Sequence, residues 1–151
     1  MRYLTPEAAA FCLLVGGTSI SAQVVTGPGG SDGFPLYAVD CSLDSEETEG
    51  SPCVVDRYTY VGWRVFHRSC SVCHAQDAVG SSFAPNLVSR IRQMNSDEFL
   101  SAMENGYSGE ADVRPWGQDP DVRPYYLELW AYLSARANGD LPPGEPQRPP
   151  N

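Results

Sequence analysis

The chain has 151 residues, of which 42% are hydrophobic, and this is enough for one domain with a modest core. Its net charge is −9, and arginine supplies every basic side chain other than the two histidines. Nucleic-acid binding calls for a basic face, so this composition argues against a nucleic-acid partner. A protein partner that presents a positive patch is compatible with the charge through long-range steering.

The first segment, residues 1–22, has the features of a secretory signal peptide. Arg2 gives a positive start, residues 8–15 are mostly apolar, and Ala22 ends a plausible cleavage site. The apolar run is too short to span a bilayer, so no stable membrane insertion is expected after cleavage. The alternative is a retained interfacial anchor. Cys12 would be removed with the signal, and the mature protein is expected outside the cytoplasm.

Residues 23–55 are predicted to form a leader and a disulfide loop. Cys41 and Cys53 remain as a pair in an exported chain, which predicts a disulfide between them. The alternative is that both stay as free thiols. Residues 23–34 are rich in glycine and are expected to be flexible, and residues 53–55 are expected to pair with residues 37–39 as a hairpin.

The next segment joins a predicted helix, residues 56–70, to the motif Cys70-Ser71-Val72-Cys73-His74. The spacing C-x-x-C-H is that of a c-type haem attachment site, in which two thiols reach the vinyl groups of one porphyrin. The histidine then ligates the iron from the proximal side. A zinc site would need two further ligands, and the only other histidine is His67. A redox dithiol would follow a strand and open a helix. The motif therefore predicts one covalently bound haem.

Three more helices are predicted after the motif, over residues 87–94, from 96 to 104 with Asn95 or Ser96 as cap, and from about 121–124 to Ala137. Glycine and proline mark the segments between them as loops. Five of the last eleven residues are proline, which predicts a disordered tail over 140–151. The helical domain is expected to end near residue 139, giving boundaries of 56–139.

Residues 58–138 resemble a class I c-type cytochrome. Gly62 and Phe66 look like the glycine and aromatic pair of that family's N-terminal helix, and residues 128–133 look like its C-terminal helix. The resemblance implies an all-α fold around one covalently bound haem, with a disulfide-closed N-terminal loop added here. It also implies that the Pro85 carbonyl accepts the proton of the haem-ligating histidine. Leu87 would lie against the porphyrin.

A narrower resemblance concerns residues 56–74, 80–87, 116–122 and 132–137, which look like the methanol-metabolism-related c-type cytochromes. These accompany quinoprotein, PQQ-dependent alcohol dehydrogenases in the bacterial periplasm. The resemblance implies a periplasmic electron carrier rather than an enzyme. It would accept electrons from such a dehydrogenase and pass them to a downstream cytochrome or oxidase.

One departure from the family pattern concerns the second iron ligand. The family has methionine in Met-Pro-x-aromatic-Gly, whereas this chain has Val113 in that register, and valine cannot ligate iron. Three outcomes stay open: an open or water-bound iron, ligation by Met103 from the preceding helix, or ligation by another group. Nearby Tyr107, Arg114 and Trp116 could contact a haem propionate. The alternative for the arginine is a solvated loop residue.

The missing methionine also allows a second class of function. Losing a thioether ligand lowers the reduction potential and exposes the iron to small molecules such as CO, NO or peroxide. The first hypothesis is therefore an electron carrier. The alternative is a haem-based sensor or a small-ligand-binding cytochrome with an open distal site, and weak peroxidase activity is a third.

Overall fold

The computed structural model describes residues 24–26, 37–41, 53–106 and 114–149, with residues 24–26 described by their backbone alone. The predicted signal peptide, most of the acidic loop between Cys41 and Cys53, Tyr107 and Val113 lie outside the described residues. No described helix combines the length and the apolar character needed to cross a bilayer.

Five α-helices form the body of the described chain. They are α1 (Arg57–Ser69), α2 (Ser71–His74), α3 (Leu87–Ile91), α4 (Ser96–Asn105) and α5 (Tyr126–Asn138), with 3-10 turns at Gln76–Ala78 and Arg123–Tyr125. Each predicted helix is present. The helix expected over 87–94 ends three residues earlier, at Ile91, and the last helix begins with a 3-10 turn before its α-helical part.

Side-chain caps explain where the helices begin. Asp56 precedes α1, and its Oδ1 accepts hydrogen bonds from the backbone N–H groups of Tyr58 and Thr59. Asn95 and Glu98 form a capping box at α4, in which each side chain accepts from the other residue's backbone N–H. These bonds satisfy N–H groups that have no partner within the helix.

Helices α1 and α5 cross at a glycine. A Cβ built on Gly62 would lie 1.8 Å from the backbone oxygen of Glu128, so no other residue allows this approach without a shift. Phe66 and Tyr132 are fully buried beside the crossing, with ring centroids 5.4 Å apart, and Leu129 is 1% exposed. The predicted packing of the glycine and aromatic pair against the last helix is confirmed.

A small sheet accompanies the helices, so the expectation of a purely α fold needs amendment. Strands β1 (Val24–Thr26), β2 (Ala38–Asp40) and β3 (Val54–Val55) pair antiparallel in the order β1-β2-β3. The predicted hairpin between the segments flanking the cysteine loop is confirmed as β2 and β3. Strand β1 lies within the glycine-rich segment that was expected to be flexible. It is ordered because its backbone pairs with that of β2.

The cysteines at the two ends of that loop are joined. Cys41 and Cys53 form a disulfide, as predicted, and the alternative of two free thiols is wrong. Cys53 is fully buried next to β3, whereas Cys41 is exposed. The bridge therefore fixes the two strands of the hairpin to each other at the edge of the helical body.

The prediction of a disordered tail is wrong for residues 140–149, which we call the C-terminal strap. Gln147 bridges in parallel to Val54, its N–H donates to the Cys53 carbonyl at 2.8 Å, and its carbonyl accepts from the Val55 N–H at 3.2 Å. Leu141 is 1% exposed, and Pro146 is also fully buried. A proline-rich segment can therefore order when β3 supplies hydrogen bonds and the core covers its apolar side chains.

Candidate haem site

A cavity of about 950 Å³ opens beside α2. All five helices contribute to its wall, together with the loops that precede α3 and α5. Its lining is largely apolar, and the charged side chains among the described lining residues are Arg90 and Arg114. The predicted residues Cys70, Cys73, His74, Pro85, Leu87, Met103, Arg114 and Trp116 all line it.

The short helix α2 brings the C-x-x-C-H residues to one side of the cavity. The N–H groups of Cys73 and His74 both donate to the carbonyl of Cys70, at 3.1 and 2.9 Å, so the chain makes one tight turn. Both thiols are free of disulfides. Burial raises the pKa of the Cys70 thiol to about 12, with the charge of Cys73 adding to the effect. Burial at this position therefore disfavours the thiolate form of Cys70.

The His74 imidazole has a defined tautomer. Its Nδ1 lies 2.9 Å from the backbone oxygen of Pro85. Because a carbonyl can only accept, Nδ1 carries the proton and Nε2 keeps the lone pair that a metal ion requires. The predicted contact with the Pro85 carbonyl is thus confirmed. The arrangement is the one in which a second partner orients a metal-binding histidine and raises its basicity.

The chain takes an unusual path directly after His74, in a segment that we call the proximal turn (residues 75–80). Ala75, Asp77 and Ala78 have φ values of 59°, 60° and 61°, a region that non-glycine residues rarely adopt. Each such residue costs on the order of 1–3 kcal/mol unless its surroundings hold it. Sequence reasoning missed this feature, since alanine carries no signal for a left-handed conformation.

A second part of the cavity wall carries the candidates for the other iron ligand. Met94 and Met103 both line the cavity. The carbonyl of Met103 accepts from the Trp116 N–H at 2.8 Å and from the Tyr126 hydroxyl at 3.1 Å. These bonds tie the end of α4 to the loop before α5. Met94 also packs against the hydrophobic core.

Arg114 and Trp116 lie together at this part of the wall. The Arg114 Cζ is 3.8 Å from the centroid of the Trp116 ring, and its Nη2 is 3.8 Å from Asp119 Oδ2. The arginine side chain is 68% exposed. A guanidinium held over an indole face keeps its edge available for a carboxylate. The expectation that these residues could meet a haem propionate stays a prediction.

His67 does not line the cavity. Its Nδ1 lies 2.9 Å from the backbone oxygen of Trp63, and its ring packs against Phe66 and Trp63. His67 is therefore poorly placed to be the second iron ligand. Within the described ranges, no group of three or more His, Cys, Asp and Glu side chains is arranged to hold a metal ion.

The donor set fits a covalently attached haem. Two free thiols and one imidazole with an available Nε2 stand on the wall of a largely apolar cavity. These are the elements by which thioether bonds and an axial histidine hold the porphyrin in c-type cytochromes. The fold and the site thus define a c-type cytochrome domain.

Comparison with known proteins agrees with this class. No family model matches the chain. The chain is 35% identical over 102 residues to cytochrome c-553I of Paracoccus denitrificans and 27% identical over 96 residues to cytochrome c-555 of Methylococcus capsulatus. These alignments cover 62% and 63% of this chain. Its fold is similar to the crystal structure of the c-type cytochrome XoxG from Methylobacterium extorquens AM1, with a TM-score of 0.61 and 32% identity over 64% of the chain.

The chain spans 44% of the length of cytochrome c-553I, 76% of cytochrome c-555 and 62% of the XoxG chain. Over the aligned residues, the helical region of this protein is similar to c-type cytochromes in sequence and in fold, which supports the resemblance found in its sequence. The free thiols of Cys70 and Cys73 and the oriented imidazole of His74 fit the covalently bound haem c that defines c-type cytochromes. The relatives are named cytochromes, which agrees with the prediction of an electron carrier rather than an enzyme.

Proposed function

We propose that this chain is an exported, periplasmic cytochrome that carries electrons on one haem. It accepts them from a PQQ-dependent alcohol dehydrogenase and delivers them to a downstream cytochrome or oxidase. The sequence resemblance to methanol-metabolism-related cytochromes supports the choice of donor. The hydrophobic start of residues 1–22 supports export, and the disulfide between Cys41 and Cys53 fits an oxidising compartment.

The observation that carries the proposal is the His74 imidazole, oriented by the Pro85 carbonyl beside the free thiols of Cys70 and Cys73. When bound, haem supplies one-electron exchange between ferric and ferrous iron. In this proposal the two cysteines hold the porphyrin and His74 ligates the iron. Leu87 packs against the ring, while Arg114 and Trp116 meet its propionates. The protein sets the potential and the access of solvent and breaks no substrate bond.

Covalent attachment is tested by producing the full chain in a bacterial host that matures c-type cytochromes. We expect a red protein whose colour stays with the polypeptide in acidified acetone, with a mass increase of one haem. The Cys70→Ser/Cys73→Ser double variant should lose the covalent haem. The Cys41→Ser/Cys53→Ser double variant removes two thiols elsewhere and should keep it. A colourless wild-type protein would overturn the proposal.

The donor is tested by mixing the oxidised holoprotein with a purified PQQ-dependent methanol dehydrogenase and methanol. We expect the haem to be reduced in single turnover at a rate that saturates with dehydrogenase concentration. Omission of methanol is the control. If reduction fails while a small chemical reductant reduces the haem, the choice of donor is wrong and the carrier role stands.

A second candidate function rests on Val113, which replaces the family's methionine. With an open coordination position, the protein would bind a small ligand such as CO.

In the part of the chain that the structure describes, the thioethers on the cavity wall belong to Met94 and Met103. We propose Met103 as the group that would close the position, because its backbone carbonyl is anchored by hydrogen bonds from the Trp116 N–H and from the Tyr126 hydroxyl at the start of α5.

Ligand binding separates the two functions. Rapid CO binding by the reduced wild-type protein, without the sulfur-to-iron absorption band of the oxidised form, would favour the ligand-binding function. A protein closed by Met103 should bind CO slowly, and Met103→Leu should speed binding strongly at nearly constant side-chain volume. Met94→Leu is the matched control and should leave the rate unchanged. If Met94→Leu has the larger effect, the assignment to Met103 is wrong.

A further inference from the structure

We propose that Asp77 and Arg136, together with the C-terminal strap, form a clamp that positions the His74 imidazole and thereby tunes the haem. The inference rests on the proposed haem site, because it assigns a role toward the iron that His74 would ligate. Neither residue lines the cavity. Both are therefore positioning residues that act through the proximal turn.

Arg136 joins the last helix to two other segments. It is 7% exposed, and it belongs to the last turn of α5. Its Nη1 donates to the carbonyl of Leu141 in the strap at 2.5 Å, and its Nη2 donates to the carbonyl of Asp77 at 3.3 Å. A buried guanidinium is costly unless its N–H groups are satisfied. Backbone carbonyls of the strap and the turn accept from Nη1 and Nη2, whereas Nε has no hydrogen-bond partner among the described residues. The planar guanidinium of arginine can donate to two acceptors from two nitrogen atoms held in fixed geometry, whereas lysine has a single ammonium nitrogen.

Asp77 is held from two sides. Its backbone carbonyl accepts from Arg136, and its Oδ1 accepts from the N–H of Gly144 in the strap at 2.8 Å. Its φ of 60° lies in the left-handed region, between two alanines in the same range of φ. Strained backbone persists only where its surroundings over-determine it. The arginine and the strap supply that constraint from outside the turn.

The strap is itself fixed to the N-terminal hairpin, so the clamp has a rigid base. Gln147 pairs with the backbone at Cys53 and Val55. The Asp140 carboxylate accepts from the Tyr37 hydroxyl at 2.6 Å, and the Asn138 side chain also donates to that hydroxyl. The disulfide then closes the hairpin. The strap therefore reaches Asp77 from an element that is anchored independently of the haem cavity.

The proximal turn passes this constraint to His74. The Gly80 N–H donates to the His74 carbonyl at 2.8 Å and closes the turn. The imidazole Nδ1 then meets the Pro85 carbonyl, five residues beyond Gly80. A looser turn would weaken the hydrogen bond from His74 to Pro85. Because that bond raises the basicity of the imidazole, its weakening disfavours ferric iron and raises the reduction potential.

The test compares holoprotein variants at Asp77. Asp77→Ala removes the acceptor for the strap, whereas Asp77→Asn keeps an acceptor oxygen and tolerates the left-handed conformation. We expect Asp77→Ala to raise the midpoint potential by at least a threefold change in the redox equilibrium constant, about 28 mV at 59 mV per tenfold. Its iron–imidazole stretching band, recorded by resonance Raman after CO photolysis, should shift. The Gly80 amide should exchange at least tenfold faster. Asp77→Asn should stay near wild type in all three measurements.

Arg136→Met gives a second perturbation, with Arg64→Met on the exposed face of α1 as its control. We expect the first to behave as Asp77→Ala and the second as wild type. The inference is overturned if Asp77→Ala lowers the unfolding free energy but leaves the potential and the iron–imidazole band unchanged, since the clamp would then be only structural. If Arg136→Met fails to fold, the Asp77 pair decides. Absence of covalent haem in the wild-type protein would instead overturn the proposed function.

Discussion

The crossing of α1 and α5 permits a sharp prediction for Gly62→Ala. The new Cβ would lie 1.8 Å from the Glu128 oxygen, 2.5 Å from the Glu128 carbon and 2.9 Å from the Tyr132 Cβ. Real Cβ contacts stay above 3.0 Å, so the carbonyl and the methyl group must separate by 3.0 − 1.8 = 1.2 Å or more. Two of the obstructing atoms are backbone, and the helices must therefore move apart.

The size of the effect follows from two opposing contributions. Overpacking of this kind costs about 3 kcal/mol, because Phe66, Leu129 and Tyr132 lose part of their close contact when the helices separate. Replacing glycine by alanine within a helix increases the free energy of unfolding by about 1 kcal/mol, because alanine has the higher helix propensity. The net loss in the free energy of unfolding should be about 2 kcal/mol, which corresponds to a fall of roughly 10 °C in Tm for a domain of this size.

The measurement is denaturant and thermal unfolding of the haem-loaded protein, followed by far-ultraviolet circular dichroism and by haem absorbance. Arg64→Ala on the exposed face of α1 is the control and should change stability by less than about 0.5 kcal/mol. Gly139→Ala tests strain without a clash, because its φ is 85° and nothing lies within 4 Å of an added Cβ. Should Gly62→Ala prove as stable as the wild type, the close helix crossing would be refuted.

Three further predictions concern the N-terminal segment. Asp56→Ala should lower the unfolding free energy by about 2 kcal/mol, since it removes the α1 cap and the acceptor for a β2 amide, and Asp56→Asn should recover part of that loss. Burial, and then the hydrogen bond to Asp140, raise the pKa of Tyr37 from 10.0 to about 12. The stability that the neutral phenol contributes is therefore complete below pH 10 and is lost as the pH rises towards about 12. In denaturant titrations at a series of pH values, the unfolding free energy of Tyr37→Phe should fall less steeply above pH 10 than that of the wild type. Removing both cysteines in Cys41→Ser/Cys53→Ser should cost about 3 kcal/mol, and a reductant should then affect the wild type but not the variant.

Local patterns made much of the site predictable. The C-x-x-C-H spacing placed Cys70, Cys73 and His74 on one wall, because a tight turn needs no distant contacts to form. The same holds for the start of α4, where Asn95 was one of the two caps predicted. Gly62 was also informative, because the resemblance to c-type cytochromes implied a close helix crossing at this residue, which the lack of a Cβ allows.

The missed features depend on contacts that are distant in sequence. The C-terminal strap has a disordered composition, and it orders only because β3 and the core receive its backbone and its apolar side chains. Arg136 lies in the last turn of a helix, a position where an exposed basic residue already interacts favourably with the helix dipole. Its burial follows from carbonyls at Asp77 and Leu141, which no local pattern reveals.

The pairing of Gln147 with the strand at Val54 has a consequence for biogenesis. A contact between segments so far apart in sequence carries a loop-closure cost, and it cannot form before residue Gln147 has been synthesised. In the unfolded chain the thiol of Cys70 is solvated, and its reactivity is that of an ordinary cysteine rather than of a buried one. A fold that closes late would therefore leave more time for a cofactor to react with this thiol.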